Sequence, residues 1–203
     1  KLLPKNIFTI DYFVKKAKEL EAAGADMISV KDMAGLIDPV TVAKLIKALK
    51  DAVSLPIDIH THCTPGYGVA SLLAGIVNGV DIVDTVILSF SGGPAGPAYE
   101  IIRIFTDKLG LDTGVDNAAV ARIDATLREI RGELASYDQY KRMPPKLDLS
   151  KDSIAPELNA LFDDALEYAV GGKLNKALER CRKIEAAFNY PDPDEIVQKA
   201  QIP

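Results

Sequence analysis

The sequence predicts an α/β fold built on a parallel sheet and followed by an all-helical extension. Three observations predict it. Apolar residues in the first half switch repeatedly between helical and strand spacing, the connections between these segments are short, and the alternation stops after Thr113. Helices and strands alternating in this way are the pattern of crossover helices on parallel strands. A closed barrel and an open doubly wound sheet satisfy it equally, and both gather active-site groups where strands end and helices begin.

Each element follows from local pattern. Phe13, Val14, Ala17 and Leu20 recur at helical spacing and predict a helix over 11–23, with Gly24 as its stop. The apolar run 26–30 predicts a strand that ends in Lys31-Asp32. Pro39 suits a first helical turn, and Val42, Leu45, Ile46 and Leu49 carry that helix to about residue 51. A second strand is expected over 56–60, a helix over 69–78 closed by Gly79, a third strand over 81–88 and a helix over 97–109. Past a boundary near residue 112, a helix is expected over 117–140, with Ala121, Leu127, Ile130 and Leu134 on one face. Met143-Pro144-Pro145 breaks it. Helices over 155–170 and 174–189 then flank Gly171-Gly172, and Tyr190-Pro191-Asp192-Pro193 turns into a last short helix. Cys181 falls inside one of these helices and is expected to be a small buried residue.

Composition excludes several function classes. Of 203 residues, 48% are hydrophobic and 26% charged, as in an ordinary folded domain, alone or with an appendage. The net charge is −5 and Lys and Arg form no cluster, so the electrostatic footprint of a nucleic-acid binder is missing. No apolar run reaches the ~20 residues of a membrane span, and the first residues lack the apolar core of a signal peptide. Cys63 and Cys181 make no disulfide pattern, which points to a reducing cytoplasm. A peripheral place on a membrane complex fits the same facts.

The chemistry concentrates at two strand ends. The two histidines form His60-Thr61-His62, and on a strand residues two apart point to one face, so both imidazoles aim the same way. Imidazole is the commonest metal ligand near neutral pH, although two hydrogen-bonded polar residues at a loop mouth read the same in sequence. Lys31 closes the preceding strand, roughly 5 Å away if the strands are neighbours. A charged lysine has no acceptor for a metal. It becomes a ligand only when neutralised, for instance as a carbamate formed with carbon dioxide. A salt bridge to Asp32 and a catalytic lysine are the plainer alternatives. Asp32 is a candidate to orient a ligand or to bind metal, and Met33 and Thr64 are candidates to line a substrate pocket or to pack beside it. Cys63 follows His62 directly and therefore points the opposite way, as a packing residue rather than a fourth ligand.

Val30-Lys31-Asp32-Met33-Ala34-Gly35-Leu36, then Pro39, then His60-Thr61-His62-Cys63-Thr64-Pro65-Gly66 resembles the carboxyltransferase domain shared by pyruvate carboxylase, the oxaloacetate decarboxylase α subunit and the transcarboxylase central subunit. The resemblance covers roughly residues 7–140. It implies a TIM (β/α)8 barrel followed by a helical funnel. It also implies a divalent metal (zinc, manganese or cobalt) held by a carbamylated Lys31, His60 and His62. The implied reaction moves a carboxyl group between biotin and a 2-oxo acid, with biotin arriving from a carrier domain or subunit. No A-M-K-M biotin site occurs in this chain, and Lys141-Arg142-Met143 is not one.

The departures from that pattern define a fragment. The family's fourth ligand, an aspartate in a D-x-x-x-R-D context on the first barrel strand, has no counterpart. Ile28, Ile59 and Val83 would then mark strands six, seven and eight. Residues 1–112 are read as a partial barrel and 113–203 as a helical extension, with an insertion near 144–172. Ala200-Gln201-Ile202-Pro203 resembles the lead-in to a P-G-G-x-x-T-N motif whose threonine shuttles a proton in the family. Cys63 stands where the family has Asp or Asn, and Ser91-Gly92-Gly93-Pro94 matches S-M-S-G-x-T-S only in part. The partners expected are a biotin carrier, the remainder of the barrel and further copies of the parent protein. The fragment alone is expected to be inactive and prone to associate through open sheet edges. Two rivals remain. A metal-dependent aldolase or acyltransferase of the related lyase barrels would also use His-x-His and the turn of Asp32, Gly35 and Pro39, without a lysine ligand. A non-catalytic docking fragment is the other.

Overall fold

Three parallel strands in the order β1-β2-β3 carry the first half of the molecule in the computed structural model, which describes residues 7–137, 154 and 156–188. Helix α1 (Ile10–Ala22) starts where the Thr9 hydroxyl accepts the Tyr12 N–H at 3.2 Å. It leads into β1 (Ile28–Asp32). Asp38 caps α2 (Pro39–Ala52) by accepting the Val40 and Thr41 N–H groups, with Pro39 in the first turn. Strand β2 (Ile57–Thr61), α3 (Gly68–Val77) and β3 (Ile82–Val83) follow. The register pairs Ile28 with Ile57, Lys31 with His60 and Ile59 with Val83.

Alternation along β1 decides the two faces of the sheet. Ile28, Val30 and Asp32 are buried, while Ser29 and Lys31 are exposed on the other side. Ile28, Val30, Ile57 and Ile59 share a core with Val42, Leu45, Ile46 and Leu49 of α2, and with Val69, Leu72 and Leu73 of α3. Burying each of these side chains is worth about 1.5–3 kcal/mol, which holds the helices on that face.

The third strand is far shorter than the run 81–88 expected from its apolar pattern. After the Asp84 N–H donates to the Ile59 carbonyl, β2 is no longer available, because the Cys63 N–H beyond it donates to the Ala95 carbonyl. The chain pairs instead with the returning loop: the Val86 N–H donates to the Pro97 carbonyl at 2.9 Å and the Tyr99 N–H to the Val86 carbonyl at 2.8 Å. Leu88–Phe90 closes as a single 3-10 turn. Helix α4 (Tyr99–Lys108) therefore starts two residues later than expected.

Helix α5 (Asn117–Glu133) is capped by Asp116, and the turn after it runs to the edge of the described residues at Tyr137. Helices α6 (Pro156–Val170) and α7 (Leu174–Phe188) form a hairpin across Gly171-Gly172. They pack on each other, and α7 also lies on α2 and α3. Phe162 of α6 sits between Phe105 of α4 (ring centroids 4.9 Å apart) and Phe188 of α7 (6.3 Å), so the hairpin joins the same continuous core. Cys181 is buried there, as its sequence context suggests, and burial raises the pKa of its thiol. The Met143-Pro144-Pro145 break, Lys141-Arg142-Met143, the start of the stretch 144–172, the turn at Tyr190 and everything after it lie outside the described residues. Among the described residues no helix is long and apolar enough to cross a membrane.

Candidate metal centre

At the C-terminal rim of the sheet the two imidazoles converge. His60 Nε2 and His62 Nε2 are 3.1 Å apart. Their other ring nitrogens are both engaged: His60 Nδ1 lies 2.8 Å from Asp84 Oδ2, and His62 Nδ1 lies 2.5 Å from the Pro94 carbonyl oxygen. A carboxylate and a carbonyl only accept hydrogen bonds, so each Nδ1 carries the proton and donates it. In its neutral form each ring then presents a lone pair at Nε2, and the two Nε2 atoms face one another.

Two lone pairs 3.1 Å apart can share one cation, a proton or a metal ion. Imidazole nitrogens bound to one metal at about 2.0–2.1 Å are about 2.9–3.4 Å apart for angles of about 90–110°. The separation of 3.1 Å falls within that window. The donor set therefore fits a divalent metal, with the Nδ1 hydrogen bonds acting as the outer contacts that orient metal-binding histidines.

Lys31 stands beside His60 as its Cα partner on the adjacent strand, with no strand between them. The pair shares a face of the sheet. Two residues earlier on each strand, Ser29 Oγ donates to Asp58 Oδ2 at 2.5 Å, and strand periodicity carries Lys31 and His60 to that same side. Among the described residues no group of three or more His, Cys, Asp or Glu gathers for a metal. Lys31 stands on the same rim, and a lysine could serve as a metal donor only in a neutralised, oxygen-bearing form such as a carbamate.

The remaining sequence candidates separate. Asp32 lies on the opposite, buried face, where Oδ1 accepts the Leu36 N–H at 3.0 Å and Oδ2 accepts the Ile37 N–H at 2.9 Å and the Thr61 hydroxyl at 3.1 Å. It holds the loop between β1 and α2 rather than reaching the histidines. That loop touches the site through its backbone: Gly35 has φ +65°, and a Cβ there would stand 2.1 Å from the His62 carbonyl oxygen. Met33 and Thr64 are exposed at the rim. Cys63 is buried on the far side, where a Cβ on Gly68 would come within 2.7 Å of its sulfur. Arg182 of α7 reaches the loop after His62, with Nε 3.3 Å from the Gly66 carbonyl oxygen and its guanidinium 5.5 Å from the centre of the Tyr67 ring.

Two participants escaped the sequence. Asp84 carried a signal, an acid directly after β3 on the rim shared by Lys31 and His60. The Pro94 carbonyl carried none, because every residue has one and only the loop's path brings this one to His62.

The HMGL-like family model matches residues 7–127. A pyruvate carboxylase subunit of Methanocaldococcus jannaschii is 44% identical over 192 residues, covering 91% of this chain and 33% of the relative. Pyruvate carboxylase of Staphylococcus aureus is 48% identical over 183 residues, covering 90% of this chain and 16% of the relative. The chain thus spans a third or less of these relatives. The solved carboxyl transferase domain of Rhizobium etli pyruvate carboxylase with pyruvate and biocytin is 28% identical with a TM-score of 0.59, covering 94% of this chain and 33% of that one.

Proposed function

The chain belongs to the HMGL-like family, and on that premise we propose that it supplies the metal-binding rim of a biotin-dependent carboxyltransferase acting on a 2-oxo acid of the pyruvate or oxaloacetate type. The observation that carries this reading is the pair of bare Nε2 atoms 3.1 Å apart, with Lys31 next to them in register. The names of the relatives support the reaction class, and the R. etli domain with pyruvate and biocytin supports the two substrates.

In this reading β1, β2 and β3 occupy the places of strands six to eight of a TIM barrel, and the α5–α7 region is the start of the helical funnel. The face of the sheet bearing Lys31 and His60 then looks into the barrel. Asp58 on that face is only 4% exposed, and among the described residues its Oδ1 has no hydrogen-bond partner. A buried oxygen left this way costs about 1–3 kcal/mol, which suits a position that another part of the barrel is to cover.

His60, His62 and a carbamate on Lys31 would hold zinc, manganese or cobalt, with a further acid from the rest of the barrel. A divalent ion there supplies Lewis-acid polarisation of the 2-oxo acid carbonyl. The chain's own residues do the holding. Asp84 and the Pro94 carbonyl hold a proton on Nδ1 of each imidazole and so turn Nε2 to the metal, Asp32 and Gly35 fix the loop beside His62, and Met33 and Thr64 offer the rim against which substrate rests. Biotin comes from a carrier domain or subunit. The parent protein is a cytoplasmic homo-oligomer, or one peripheral to a membrane decarboxylase complex.

A related lyase activity would share the turn of Asp32, Gly35 and Pro39 but has no use for Lys31 beside the histidines. The discriminating experiment is metal analysis and intact mass of the full chain in bicarbonate buffer. The expected result is a bound divalent ion, lost in His60→Ala and His62→Ala, and one added carbon dioxide on Lys31. Metal retained at undiminished affinity in Lys31→Ala would remove the carbamate and leave the lyase reading. Metal content indifferent to both histidines would remove the centre altogether.

A further inference from the structure

We propose that Asp84 is a positioning residue that sets the tautomer of His60 and so makes its Nε2 available as a ligand. The inference rests on the metal-centre reading above and assigns a role to a residue outside the ligand set.

The geometry couples Asp84 to His60 twice. Its N–H donates to the Ile59 carbonyl at 3.0 Å, which ties the Asp84 backbone to the strand immediately before His60. Its Oδ2 then meets His60 Nδ1 at 2.8 Å. The backbone contact fixes where the carboxylate starts, and the side-chain contact fixes which ring nitrogen carries the proton.

The consequence lies at the far side of the ring. With the proton on Nδ1, Nε2 faces His62 as an acceptor. Without Asp84, a proton on His60 Nε2 would find an acceptor in His62 Nε2 3.1 Å away, and that tautomer would close the ligand position. His62 is protected from this change because its Nδ1 donates to a main-chain carbonyl that no substitution removes. Asp84 is therefore the element of the outer contacts that the sequence can tune. Its side chain is half exposed, so its hydrogen bond competes with water and depends on the short, register-fixed geometry.

The test uses the full chain labelled with nitrogen-15. Long-range proton–nitrogen correlation at neutral pH reads the tautomer of His60 directly, and cobalt(II) titration reads affinity. Asp84→Ala is expected to move His60 away from the Nδ1–H tautomer and weaken cobalt(II) binding about ten- to a hundredfold. Asp84→Asn, which keeps an acceptor oxygen, is expected to recover part of both. Asp107→Asn, an acid on α4 paired with Arg103, serves as the remote control and is expected to change neither. Thermal melting establishes that each variant is folded. An unchanged tautomer or an unchanged affinity in Asp84→Ala overturns the positioning role while leaving the metal centre standing. Cobalt(II) binding that ignores His60→Ala and His62→Ala overturns the centre itself, and the Asp84 role with it.

Discussion

At Gly35 one missing methyl group allows the rim to assemble. Its φ of +65° is a conformation that costs other L-residues about 1–2 kcal/mol, and its Cα is close enough to β2 that a Cβ would collide with the His62 carbonyl oxygen and carbon. Both partners in that collision are backbone, so no rotamer change relieves it. Gly35→Ala is expected to destabilise the fold by on the order of 2–4 kcal/mol, read as a fall in denaturation midpoint, and to weaken metal binding by shifting His62. A midpoint within experimental error of wild type would mean the loop moves freely and does not brace the histidine. Asp32 illustrates what sequence leaves open at this scale. Its place at a strand end beside Lys31 suggests metal chemistry, whereas period-two alternation turns it to the buried face, where two backbone N–H groups and Thr61 occupy it.

Among the elements, the joint between α4, the 3-10 turn and α5 holds a buried acid that couples its stability to pH. Glu100 in the first turn of α4 is 4% exposed and accepts the Leu88 N–H at 2.9 Å. Burial raises its pKa to about 7, and nearby Asp124 adds to the rise while Arg128 opposes it. Asp124 of α5 accepts the Ser89 N–H at 3.1 Å and pairs with Arg128 at 3.0 Å, and Arg131 donates to the Ser89 carbonyl. The folded state thus holds a proton on Glu100 that the unfolded chain releases nearer 4.5. Between those values the native state binds more protons than the unfolded state, so stability falls as pH rises from about 4.5 to about 7 and then levels. Glu100→Gln is expected to flatten that slope in denaturant titrations across this window and to stabilise the protein above pH 7. A slope that survives the substitution would place the titrating group elsewhere. The same region shows why the apolar run 81–88 misleads: strand length depends on a pairing partner, which apolar pattern does not encode, and the loop carrying Ala95 and Pro97 replaces β2 as the partner after Asp84.

For the molecule as a whole, the question is whether the helical extension is a second domain. The α6–α7 hairpin contributes Phe162, Ala165, Ala177, Cys181 and Ile184 to the core that also holds the sheet. Phe162 is fully buried between Phe105 and Phe188. Phe162→Ala is expected to cost about 3–5 kcal/mol and to lower the melting of strands and helices together, in one transition followed by far-ultraviolet dichroism and by hydrogen exchange. Two separate transitions would make the boundary near residue 112 a true domain division. Arg182 extends the same coupling to the rim, since it joins α7 to the loop that follows His62.

Periodicities of 3.6 and 2 are local, and they were enough to mark the helices, the parallel strands, the common face of His60 and His62 and the opposite face of Cys63. The motif around Lys31 and the histidines was legible for the same reason, because its spacing is written along the chain. What the tertiary structure decided are contacts between segments far apart in sequence. The register set Lys31 beside His60, the end of β3 set Asp84 on the His60 ring, the path of a loop set the Pro94 carbonyl on His62, and a close approach excluded every side chain from position 35. Such contacts depend on which backbone groups remain unpaired once the sheet has formed, and no local pattern encodes that.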